Sequence, residues 1–226
     1  MENQEFGYSF YSLNQKQEDF KNRILRALNI FNSTIPLLPI KALFPSQQGY
    51  TNINGFKDDF LIKKDYLNAT LLSENGEYEI SIGTNLEGFM IGFNFNLPFL
   101  SQYLSLTQII NLMQLLQSTL ATPVSSVAHV FDLGIVYGLY EPFDFAGRNS
   151  FFTGFRWLNY LGPEEMTLNG GKALYDLPYL TKVEPLGEGI FIQVGETPND
   201  ARTEQGKQQL FKATEAWWEM IQKKGG

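Results

Sequence analysis

The 226-residue chain has one histidine, His129, and no cysteine. A lone imidazole cannot build a multi-histidine zinc site, and a chain without thiols has neither thiolate ligands nor a disulfide framework. His129 lies in Ser126-Val127-Ala128-His129-Val130-Phe131, a run of strand character. There the expected role is a histidine hydrogen-bonded to backbone, ahead of membership in a triad. Carboxylate doublets occur at Asp58-Asp59 and Glu164-Glu165. Glycoside hydrolysis uses two carboxylates across one bond, but neighbours on a helix or strand do not face each other. The doublets therefore read as solvated surface charge. Gly187-Glu188-Gly189 lacks the full dinucleotide fingerprint and no Gly-Lys-Ser/Thr phosphate loop is present, so no cofactor is expected. Trp157, Trp217 and Trp218 are the residues with interface character. On a helix the adjacent pair diverges by about 100°, which predicts one ring in the core and the other near its edge.

The elements that must position these residues follow from periodicity. Phe20, Ile24, Ala27, Leu28 and Phe31 predict an amphipathic helix over 17–31. Pro36 and Pro39 end that pattern, and the stretch to about Tyr66 reads as irregular and partly exposed. Tyr78, Ile80 and Ile82 alternate with polar residues, and Phe89 to Leu97 is apolar and aromatic, which predicts a β-hairpin. Ser105 and Gln108 form a capping box ahead of a helix over 106–120 with the stripe Ile109, Leu112, Met113, Leu116 and Leu120. Val124 to Tyr140 predicts a core strand ending near Gly138. Pro163 opens a short helix closed by Gly170-Gly171. A second hairpin turns at Leu186 to Gly189, and a final helix spans 206–223 with Lys223 and Lys224 complementing its dipole. Helices and hairpins interleave without a βαβ rhythm, so the expected class is α+β, a mainly antiparallel sheet packed with about four helices.

With 43% hydrophobic and 15% aromatic residues the chain can bury a large core. Its formal charge of −7 disfavours direct nucleic-acid binding, which calls for clustered Lys and Arg, and suits a basic protein partner or plain solubility. Neither an export signal nor a span long enough for a bilayer is visible, so a cytoplasmic, membrane-free protein is expected.

Three segments carry a family resemblance: Phe95-Asn96-Leu97-Pro98; Trp157-Leu158-Asn159-Tyr160-Leu161-Gly162 with the later Gly170-Gly171; and Ile192-Gln193-Val194-Gly195-Glu196-Thr197-Pro198. In these the chain resembles the type VI secretion immunity family over about residues 77–222, with residues 1–70 weakly matched. The resemblance implies a single immunity-type domain over 1–226, of a family whose members neutralise toxins encoded beside them, some with VRR-Nuc nuclease domains. Family members often continue past the last segment with a Gly-Asp-x-Asn-like stretch; here Asn199-Asp200-Ala201-Arg202 keeps Asp200 alone.

The function expected is therefore binding and neutralisation of a cognate effector, a basic nuclease domain, with no enzymatic activity and no metal. A hydrolase with a dispersed carboxylate pair and a structural subunit are the alternatives. Acids in predicted loops and turns are the candidate contacts, because carboxylates can occupy positions that phosphates would take: Asp58, Asp59, Glu87, Glu141, Asp144, Glu188 and Asp200.

Overall fold

The computed structural model describes residues 5–13, 17–35, 40–44, 49–50, 55–56, 59, 69–73, 75–84, 88–120, 126–132, 143, 148, 150 and 152–224. The chain forms two compact units, Met1–Leu120 and Ala121–Gly226. The class is α+β with antiparallel pairing, as the interleaved patterns predict.

In the first unit six strands, β1 (Glu5–Leu13), β2 (Ile40–Phe44), β3 (Gly49–Tyr50), β4 (Ala69–Ser73), β5 (Tyr78–Thr84) and β6 (Gly88–Asn96), lie in the order β3-β2-β4-β5-β6-β1. Strict alternation decides which side is dry. Tyr78, Ile80 and Ile82 of β5 are buried and pair in register with the buried Phe95, Phe93 and Ile91 of β6, while Glu79, Ser81 and Asn94 between them stay half-exposed. Burying each such apolar side chain stabilises by roughly 1.5–3 kcal/mol.

Three helices, α1 (Gln17–Thr34), α2 (Leu97–Tyr103) and α3 (Leu106–Leu120), complete the unit. Helix α1 buries Ile24, Ala27, Leu28 and Phe31, and the Phe31 ring meets Phe93 at 4.2 Å and Phe95 at 5.3 Å between centroids. Helix α3 buries all five residues of its stripe. Its start is the reciprocal cap: the Ser105 N–H donates to Gln108 Oε1 (2.9 Å) and the Gln108 N–H to Ser105 Oγ (3.4 Å). At its other end Arg23 Nη1 donates to the Leu120 carbonyl (3.2 Å), one of the acceptors a helix terminus leaves open.

The second unit has four strands, β7 (Ser126–Asp132), β8 (Leu158–Leu161), β9 (Lys182–Leu186) and β10 (Gly189–Gln193), in the order β7-β8-β10-β9. Helices α4 (Pro163–Leu168) and α5 (Glu204–Lys224) and the 3-10 turns Gly171–Asp176 and Pro198–Arg202 pack with them. The core joins Phe152, Phe155, Leu161, Ile190, Ile192, Leu210 and Trp217. The Phe152 and Trp217 rings meet edge to face at 4.7 Å, a favoured aromatic geometry. Trp217 is buried and Trp218 half-buried, the split expected of adjacent helical positions. Strand β9 is outermost, with Pro185 on it and Lys182 paired to Glu184 at 2.8 Å.

The departures from the sequence reading concern strands, of which β1, β4 and β8 were not expected at all. The stretch read as irregular up to Tyr66 contains β2 and β3. Their pairings run to β4 and to each other, with a register shift between Ala42 and Phe44 that blurs any period of two. Of the core strand expected over Val124 to Tyr140, β7 covers Ser126–Asp132, and the rest of the run falls outside the described residues. Among the described residues no helix is long and apolar enough to cross a membrane.

Candidate functional site

Of the seven acids proposed as contacts, Asp58, Glu87, Glu141 and Asp144 lie outside the described residues, and Asp59 is half-buried. Glu188 is exposed at the tip of the β9–β10 hairpin. Only two residues separate those strands, and Gly187 before it takes φ +60°, the conformation that the first position of such a turn favours. Glu188 thus projects from a short, well-specified turn.

Asp200 belongs to a different kind of site. Its Oδ2 accepts the N–H groups of Glu196 (2.6 Å) and Thr197 (3.0 Å), and its Oδ1 accepts the Thr197 hydroxyl (2.8 Å). Partial burial pushes its pKa up, but these three donors outweigh it and hold the carboxyl below the ordinary aspartate range. The Asp200 carbonyl also accepts from Thr203 N–H (2.9 Å) and faces Gly206 so closely that a Cβ on residue 206 would collide with it. Both carboxylate oxygens thereby organise the turn that leads into α5.

The doublet Glu164-Glu165 divides in a way the sequence reading did not anticipate. Glu164 is exposed, whereas Glu165 is 0% exposed. The reason is a polar network inside the second unit. Ser150 Oγ donates to Glu165 Oε2 (2.6 Å), and Asn169 Nδ2 donates to Glu165 Oε2 (3.0 Å) and to the Glu165 carbonyl (2.7 Å). Arg148 Nη2 donates to Asn169 Oδ1 (2.7 Å), its Nη1 donates to the Phe152 carbonyl (3.1 Å), and its guanidinium lies 4.9 Å from the Trp217 ring. Burial lowers the Arg148 pKa, and the negative field of Glu165 opposes that shift. Trp217 Nε1 closes the network on the Asn169 carbonyl (3.2 Å).

A serine beside a carboxylate suggests nucleophilic chemistry, but hydrogen bonds inward satisfy these groups, and Glu165 and Asn169 are wholly enclosed. The arrangement ties Arg148, Ser150 and Phe152 to α4 and α5. Neither Arg148 nor Ser150 has a periodic pattern to announce it; the one local signal is Glu165 and Asn169 at helical i, i+4 spacing. His129 pairs in register with Asn159, whose Nδ2 donates to the Arg156 carbonyl (2.7 Å) and whose Oδ1 accepts the Arg156 N–H (2.7 Å). Among the described residues no group of three metal-ligating side chains converges.

The fold has a known counterpart. The Pseudomonas aeruginosa T6SS protein PA0821 matches with a TM-score of 0.65 at 16% identity, over 96% of this chain and 75% of that one. At that identity the likeness is one of fold. No protein-family model and no curated protein matches the chain.

Proposed function

We propose that this chain is an immunity protein that binds a cognate antibacterial type VI secretion effector in the cytoplasm and neutralises it by covering its active or substrate-binding site. The observation that carries the reading is the shared fold with a T6SS protein across 96% of the chain. The sequence segments at Trp157–Gly162 and Ile192–Pro198 support it independently, because their resemblance is to immunity proteins in particular. The formal charge of −7 suits a basic, nuclease-type partner, since complementary charge accelerates encounter and selects the partner. Of the candidate acids among the described residues, Glu188 is the exposed one. Asp200 would act indirectly, by shaping the loop that precedes α5.

Co-expression decides the matter. The chain should restore growth to cells producing the effector encoded beside its gene, and the two proteins should co-purify at a fixed ratio. Cells that die despite full expression of the chain, or an effector that elutes alone, would sink the reading.

A further inference from the structure

On the first unit, β5 with the turn residue before it and β6 carry a two-by-two array on the side away from the Phe31 contacts. Glu79 pairs with Asn94, and the Asn96 N–H donates to the Glu77 carbonyl (2.8 Å). Alternation therefore sets Glu77 beside Asn96 and Glu79 beside Asn94, with side chains of facing residues about 5 Å apart, while Tyr78 and Phe95 turn into the core. Leu72, opposite Glu79 on β4, and Gly76 in the β4–β5 turn complete a pocket of about 170 Å³ over these four polar side chains.

The lining has more acceptors than donors. Among the described residues Glu77 has no hydrogen-bond or ion-pair partner for its carboxylate, and Glu79 receives only the Ser81 hydroxyl (2.8 Å). Asn96 stands at the N-cap of α2 without capping it, and its Oδ1 is enclosed with no donor in reach. Burial, and secondarily the negative field of Glu77, pushes the Tyr78 hydroxyl far above its usual range. Two carboxylates with the Asn94 carboxamide beside them call for a cation rich in N–H groups. A guanidinium meets this best: it offers five donors in a planar fork that matches carboxylate geometry, and its aliphatic stem can lie along Leu72.

We propose that this pocket receives an arginine side chain of the protein partner. The identity of that partner rests on the immunity reading above, but the chemistry of the pocket does not. The test uses the full-length, isotope-labelled chain titrated with N-acetyl-arginine amide, with the uncharged N-acetyl-citrulline amide and calcium chloride as separate titrations. Expected are saturable NMR shifts of the Asn94 and Asn96 side-chain amides with the arginine compound alone, and affinity about tenfold weaker in the double variant E77Q/E79Q. The remaining resonances of that variant should be unmoved, which shows that it folds.

Absence of saturable shifts, an equal response to the citrulline compound, saturation by calcium, or undiminished affinity in E77Q/E79Q would each overturn the proposal. Because the probe is not the effector, a failed titration leaves the co-expression result standing. A positive titration with no growth protection would instead retain the pocket and remove its assigned partner.

Discussion

Asn169 holds more of the second unit together than its type suggests. It joins Arg148, Ser150 and Glu165, and its backbone carbonyl takes the Trp217 indole N–H. Removing one member of a buried network leaves the others desolvated and unpaired, so Asn169→Ala should lower unfolding stability by about 2–4 kcal/mol in denaturant titration. A loss below about 1 kcal/mol would mean that the network is solvated. Asp200 makes a separate prediction in pH. Its folded pKa is depressed, so its contribution is fully present above the unfolded aspartate value and is lost as pH falls through the folded one. Asp200→Asn should therefore be less stable than the wild type at pH 7, by about 0.5–2 kcal/mol on the scale of helix caps, and the gap should shrink below about pH 4. Thermal melts across pH 2–7 check this; a gap that persists at pH 2 contradicts it.

At the scale of elements, α5 shows how far periodicity carries. The helix was legible because Leu210, Trp217 and Ile221 recur at helical spacing, and the divergence of adjacent positions set Trp217 inside and Trp218 at the edge. Trp217→Ala should cost about 3–5 kcal/mol, whereas Trp218→Ala should cost clearly less, as chemical denaturation of the two variants will show. Equal losses would contradict the split. Helix α3 was legible for the same local reasons, a stripe and a capping box. Strand β1 was not, because Glu5 finds its partner at Asn96, and a pairing that remote leaves no mark nearby. The buried network escaped for a related cause: Arg148, Ser150 and Glu165 are ordinary surface types until the fold brings them together.

For the whole molecule, charge is the property that the sequence states most directly. Met1–Leu120 carries 8 Lys and Arg against 11 Asp and Glu, and Ala121–Gly226 carries 9 against 13, so acidity is shared by both units and not confined to one tail. A broadly acidic chain meeting a basic effector predicts an association rate that falls steeply as ionic strength rises from 0.05 to 0.5 M, with dissociation changing much less. Stopped-flow mixing at several salt concentrations measures it, and a salt-independent rate would rule out charge-led encounter. Charge does not specify which acids would meet the partner of the proposed reading. Of the candidate acids Glu188 and Asp200, Asp200 is engaged by its own loop while Glu188 faces solvent.

The outer strand of the second unit bears on whether copies of the chain can add to one another edge to edge. An unpaired strand rim is a template on which another extended chain can add itself. Pro185 offers no amide hydrogen to an incoming backbone, and the ion pair of Lys182 with Glu184 would have to be desolvated by any sheet growing past it. The rim of β9 thus works as a stop, letting copies crowd together without zipping into fibres.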